Sequence, residues 1–210
     1  MQSISRQSVY PLEHIIINWS DHKGPLVLKR DFKKSSPYLT LGFKLRDNGI
    51  YMAMNFGIIL SSANYLLFLN AGDELYEDRA LELLGMNLPK KPEKIHYHFP
   101  FIYKRSLSSI SYDIIGYSSI RSAITSGSLI CQQSILFNRE LIIARSGFDE
   151  SYSLAGDYEF LCRSLKSKDI WGTLPVVGTV YEAGGLSETR QDDCSKEINR
   201  ARVQHASLFL

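Results

Sequence analysis

Apolar positions in this chain come as short runs separated by helix-spaced patterns. Residues 14–18, 38–44, 65–70, 94–99, 134–138 and 176–181 are rich in β-branched or aromatic side chains and are bounded by Gly, Pro, Asn or Ser, which predicts strands. Residues 3–9, 50–61, 78–85, 158–166 and 193–208 predict helices. In the second of these, Ile50, Met54 and Ile58, with Met52 and Ile59 beside them, fall at helical spacing. Strand, helix, strand, helix, strand over the first half predicts parallel strands joined by right-handed crossovers, an α/β sheet covered on both faces. The run Tyr65-Leu66-Leu67-Phe68-Leu69 supports this, because a strand is continuously apolar where both of its faces are buried. The second half is less regular and predicts antiparallel additions.

Composition narrows the class. At 210 residues the chain predicts one domain, and 44% apolar residues are enough for a sizeable core. Lys plus Arg number 24 against 22 Asp plus Glu, a balance that leaves no electrostatic footprint for nucleic acid, so no nucleic-acid partner is expected. Cys131, Cys162 and Cys194 lie far apart, which predicts reduced thiols in a cytoplasmic protein and excludes a cysteine zinc cluster. Residues 1–12 lack the apolar block of a secretory signal. The longest mostly apolar stretch, 50–60, contains Asn55 and Gly57 and is too short to span a bilayer. The expected location is cytoplasmic, with peripheral association at the inner face of the membrane left open.

In open α/β sheets, ligands bind beyond the carboxyl ends of strands, so polar residues there are the candidates. Asn18 ends the first predicted strand. Asn70-Ala71-Gly72-Asp73-Glu74 follows the most apolar one, where Asp73 is placed either to offer oxygen to Mg²⁺ or Mn²⁺ or to close an Asx-type turn. Asp47-Asn48-Gly49 precedes a helix and reads equally as a turn with a cap. Asp157 opens a predicted helix, either as its N-cap or as a general base removing a proton from an attacking hydroxyl, with Glu159 the next carboxylate in line. His96 and His98 share one face of a strand, but no third metal ligand follows at a recognisable spacing. Gly184-Gly185-Leu186-Ser187 reads as a loop. A Walker-type loop, a GxGxxG after a strand and a GxSxG elbow are all absent, against a P-loop NTPase, a dinucleotide oxidoreductase and an α/β-hydrolase.

The order of these pieces resembles the family 2 glycosyltransferases that build bacterial surface polysaccharides. The segment from Ser3 to Asn18 looks like the family's first helix end and second strand. Arg46-Asp47-Asn48-Gly49-Ile50-Tyr51-Met52-Ala53-Met54-Asn55-Phe56-Gly57 is similar to its D-x-G-I-Y-D-A-M-N-x-G signature. Tyr65 to Asp73 looks like the strand that ends in its metal-binding aspartate. Cys131 to Phe137, Gly147 to Tyr152 and Ala155-Gly156-Asp157-Tyr158-Glu159-Phe160 follow in the family's order.

The resemblance implies an A-type glycosyltransferase fold, an α/β fold with a Rossmann-like, mostly parallel sheet and helices on both faces. Residues 1–90 would form the nucleotide-sugar-binding half and residues 91–210 the acceptor and catalytic-base half. It implies inverting transfer from a nucleotide-diphosphate sugar to a saccharide or lipid-linked saccharide, in polysaccharide or lipopolysaccharide synthesis. Asp73 would hold Mn²⁺ or Mg²⁺ and Asp157 would be the base. Asn18 and Asp47 match positions near the nucleotide base and ribose, Gly72 lies in the metal motif, and Gly184 and Gly185 match a loop near the diphosphate. Asn18 and Lys23 stand where aspartates are usual, Met52 replaces the Asp of the signature, and Gln132 stands where His is common. The family's first strand has no counterpart, so an N-terminally truncated version of the fold is expected, with an in-frame strand-coding stretch upstream. In the order 3-2-1-4 that strand would lie between residues 14–18 and 65–70. The competing function is a catalytically silent relative that binds a nucleotide-sugar or a partner. A sugar-nucleotidyltransferase would need a Gly-rich basic loop near its start, which is absent.

Overall fold

The structure is a computed structural model and describes residues 2–20, 39–46, 49–91, 93–105, 112–128 and 130–209. In chain order the elements are α1 (Gln2–Ser5), β1 (Glu13–Ser20), β2 (Leu39–Arg46), α2 (Ile50–Leu60), β3 (Tyr65–Leu66), β4 (Glu74–Leu75) and α3 (Ala80–Asn87). Then come β5 (Ile95–His98), β6 (Phe101–Lys104), β7 (Tyr112–Ile115), α4 (Ile120–Ser126), β8 (Ile135–Asn138) and α5 (Arg139–Ala144). The chain continues through α6 (Gly156–Lys166), β9 (Ile170–Thr173), β10 (Thr179–Glu182), α7 (Leu186–Thr189) and α8 (Gln191–Gln204). Short 3₁₀ turns cover Gln132–Ser134 and Ala206–Leu208.

Among the described residues β1 and β2 form a parallel pair, and two four-stranded sheets follow the orders β3-β8-β5-β9 and β4-β10-β6-β7. Pairing is mixed rather than mostly parallel. β1–β2, β5–β9 and β6–β10 are parallel, whereas β3–β8, β5–β8, β4–β10 and β6–β7 are antiparallel. Every antiparallel pair includes a strand from beyond residue 91, where the sequence pattern loses its alternation. The main core gathers α2, α4, β8 and α6 around Phe137, Phe148 and Phe160, whose rings contact one another at 5.4–5.8 Å. Burying each such ring contributes about 1.5–3 kcal/mol.

The predicted helix at 3–9 stops at Ser5. Gln7 is drawn instead to α3, where its amide donates to the Glu77 carbonyl at 2.7 Å and its oxygen accepts from the Leu81 N–H at 2.9 Å. The predicted strand at 65–70 pairs with β8 only through Tyr65 and Leu66. Its remainder, and the edge of β1 opposite β2, pair with no strand among the described residues. Between them lies an apolar cavity of about 450 Å³, lined by Ile15 and Ile17 of β1, Met54 of α2, and Leu67, Phe68 and Leu69. This is where the resemblance places its further strand. Residues 67–70 are accordingly half-buried instead of covered on both faces.

Candidate active site

β4 runs antiparallel to β10, with Thr179 opposite Leu75 and Val180 opposite Glu74, so Asp73 and Glu182 come to the same end of the pair. Gly72 turns the chain there with φ +102°, the left-handed region that favours glycine. The Asp73 N–H donates to the Asn70 carbonyl, and Asp73 Oδ2 accepts from the Asn70 N–H, each at 3.2 Å. Asp73 thus closes the turn over residues 70–73, bonding back to Asn70 and not forward as an Asx-type turn would. The carboxylate has a further role, because Gln133 Nε2 also donates to Oδ2. Burial pushes the Asp73 carboxyl up, its hydrogen bonds pull it down, and the charge of Glu182 pushes it up again. Lys104 pairs with Glu182 at 3.3 Å.

Asp157 lies in the first turn of α6, where the helix dipole favours a carboxylate. It is not the N-cap: the helix is preceded by Ala155, which makes no side-chain cap. Glu197 of α8 holds the segment that leads into the helix, its carboxylate accepting from the N–H groups of Ser153, Leu154 and Ala155 at 2.9–3.1 Å. Asp157 Oδ1 accepts from the Tyr51 hydroxyl at 3.1 Å and from the Tyr158 N–H at 2.9 Å. Burial dominates its titration and pushes the carboxyl up; the two hydrogen bonds pull it down and Glu197 pushes it up. A half-buried carboxylate of raised proton affinity suits proton abstraction. Glu159 does not compete for that role. It is 1% exposed and closed off by Arg163 at 2.9 Å and His205 at 3.0 Å.

The turn Gln132–Ser134 and its preceding Cys131 stand between the two aspartates. The Cys131 thiol is pushed up first by burial, and the charges of both Asp73 and Asp157 add to that. Gln132 points elsewhere, donating to the Met54 sulfur of α2 at 3.0 Å. Gly184 and Gly185 follow β10 at the Asp73 end. Gly184 has φ +98° and donates its N–H to Glu188 Oε2 at 2.8 Å. Glu188 Oε1 accepts from Tyr103 and Tyr181 at 3.1 and 3.2 Å, and those rings stack at 5.7 Å, so the loop is latched to the sheet.

Asp73, Gly72, Gly184 and Gly185 are thus brought to one end of the β4–β10 pair, and the charges of Asp73 and Asp157 both reach Cys131. Asn18 sits near the end of β1, with Lys44 as its partner in β2. Asp47 and Lys23 lie outside the described residues. Asn55 of the signature is structural: it bonds both the N–H and the carbonyl of Phe148 at 2.8 and 2.9 Å, and a Cβ at Gly147 would stand 2.3 Å from its oxygen. His96 and His98 belong to the core. His96 stacks on Trp171 at 4.6 Å and accepts from the Asn138 N–H at 3.1 Å, and His98 meets the Thr173 hydroxyl at 2.9 Å.

Among the described residues no three His, Cys, Asp or Glu side chains gather as a metal cage. Asp73, with Glu182 beside it, is the carboxylate pair that could hold a divalent cation at this end. That fits Mg²⁺ or Mn²⁺, since such ions take one or two carboxylates and complete their shell with substrate phosphates.

No family model matches the chain. The fold is nevertheless GT-A-like, and its sequence relatives are glycosyltransferases. Structures of S. aureus TarS superpose with TM-scores of 0.62 for the complex with UDP and 0.65 for that with UDP-GlcNAc, at 11% and 10% identity. They cover 95% and 99% of this chain but 58% and 60% of those chains, so this chain spans about three-fifths of the solved proteins' length. In sequence the chain is 24% identical over 194 residues to a PGL/p-HBAD biosynthesis glycosyltransferase of Mycobacterium bovis, covering 91% of this chain and 74% of that protein. The counterpart from Mycobacterium tuberculosis matches equally well, at 24% identity over 194 residues.

Proposed function

We propose that this chain transfers a sugar, with inversion, from a nucleotide-diphosphate sugar to a hydroxyl of a saccharide or lipid-linked saccharide during glycan synthesis. The observation that carries the reading is half-buried Asp157 in the first turn of α6, its Oδ1 held by the Tyr51 hydroxyl and its carboxyl pushed up by desolvation. Asp157 takes the proton of the acceptor hydroxyl as that oxygen forms its bond to the anomeric carbon. The bond from that carbon to the diphosphate breaks on the opposite face, giving inversion in one displacement. Asp73, with Glu182 beside it, would hold Mg²⁺ or Mn²⁺, which supplies positive charge to the departing diphosphate. The Gly184–Gly185 loop borders the same end. TarS was solved with UDP and UDP-GlcNAc, which makes uridine-diphosphate sugars the first donors to test.

Among the described residues no helix is long and apolar enough to cross a membrane. We place the reaction at the cytoplasmic side, where peripheral contact with the inner face would reach lipid-linked acceptors. A silent, donor-binding relative is the second reading, favoured by the open apolar cavity beside β1. Release of UDP from a panel of UDP-sugars, with Mn²⁺ and with and without saccharide acceptors, separates the two. Acceptor-dependent release is expected. Donor binding without release on any acceptor favours the silent relative, and absence of donor binding sinks both.

A further inference from the structure

We propose that Tyr51 is a positioning residue for the base: its hydroxyl anchors Oδ1 of Asp157 and leaves Oδ2 to face the acceptor hydroxyl. The inference rests on the reading of Asp157 as the base. Tyr51 is the second residue of α2, 4% exposed, and its hydroxyl reaches Asp157 Oδ1 at 3.1 Å across 106 residues of chain. Its ring lies flush on the start of α6. A Cβ at Gly156 would stand 2.8–3.0 Å from three ring carbons, so the residue before the base must be glycine for the ring to fit. Phe148 packs against the same ring at 5.7 Å. Oδ1 takes the Tyr158 N–H as well, so the donors from Tyr51 and Tyr158 fall on the same oxygen of the carboxylate.

The arrangement holds over the whole range in which the carboxyl titrates. Burial and the Asp157 charge push the Tyr51 phenol well above its ordinary value, so it remains a donor. Among the described residues, the other ionisable groups whose charges couple to this carboxylate include Cys131, just before the 3₁₀ turn, and Cys194 and Glu197 of α8. Tyr51 is thus a neutral donor that steadies the ionised base without neutralising it.

The test is Tyr51→Phe, which keeps the ring and removes the hydroxyl. Carbon-13 NMR titration of the Asp157 carboxyl in the full chain needs no substrate. Its midpoint is expected to rise by about one pH unit, since a hydrogen bond to the charged form is lost. In turnover of a UDP-sugar, kcat is expected to fall by about tenfold with the donor KM unchanged, and the acid limb of the pH profile to move up with the carboxyl. Gly156→Ala, which displaces the ring while keeping the hydroxyl, should move the titration in the same direction and covers the case where Tyr51→Phe does not fold. An Asp157 midpoint and acid limb identical to wild type would reduce Tyr51 to packing. A moved midpoint with Asp157→Asn as active as wild type would instead overturn the base reading and leave the Tyr51–Asp157 link intact.

Discussion

Asp157→Asn is expected to fold as the wild type does, bind a UDP-sugar with unchanged affinity, and transfer sugar at least about a hundredfold more slowly. Asn keeps the oxygen that accepts from the Tyr51 hydroxyl and the Tyr158 N–H, so both local bonds survive the change. The entry to α6 also survives, because Glu197 holds the N–H groups of Ser153, Leu154 and Ala155 ahead of the helix whatever stands at 157. The amide cannot accept the acceptor's proton, and general-base catalysis contributes ~10²–10⁴-fold in rate. Melting temperature, donor affinity and transfer rate, compared for Asn and Ala at this position, check the prediction. Near-full transfer by the Asn variant would mean that the base lies elsewhere.

The second large effect is on stability. His96 and His98 are 0% and 1% exposed, and burial pushes each imidazole down to about 4. In the unfolded chain each returns to an ordinary value of about 6.5. Between those limits the unfolded chain binds protons that the folded chain does not. The stability from both histidines is therefore complete above about pH 6.5 and is lost as pH falls toward about 4. Each contributes at most about 1.4 kcal/mol per pH unit across that window. Asp73 and Asp157, pushed up by burial, act with the opposite sign near its lower end, so the slope is steepest in its upper part. Urea unfolding at half-unit steps from pH 7.5 to 4.5 should show this loss, with proton uptake approaching two per molecule. Constant stability from pH 7 to 5 would contradict it.

The candidate residues sit at element ends. Asp73 follows an apolar run and Asp157 opens a helix, so position marks both as candidates, while their roles came from the resemblance. Their partners were hidden because each acts across a long stretch of chain: Tyr51 on Asp157 over 106 residues, Gln133 on Asp73 over 60, and Glu197 on Ala155 over 42. No local spacing encodes such contacts. β6, β7 and β9 are four residues each, the same length as β5, β8 and β10 that the pattern marks, so shortness alone does not explain why they went unmarked. α4 and α5 did leave signals, in Ser119 and Asn138, whose side chains accept from the Ser122 and Leu141 N–H groups, and in Gly127 with φ +70° closing α4. The run at 65–70 misled in one respect. Its apolar pattern implies cover on both faces, and the cavity beside β1 withholds part of that cover.

Calorimetric titration of UDP with and without Mn²⁺, in the wild type and in Asp73→Ala, tests the central claim most directly. It asks whether this end of the fold holds a nucleotide diphosphate through a cation. Asp73 is the carboxylate at the strand end, with Glu182 beside it. Mn²⁺ is expected to tighten UDP binding by about tenfold or more in the wild type, and Asp73→Ala is expected to abolish that gain. Equal UDP affinity in all four titrations would contradict the claim and return Asp73 to its turn.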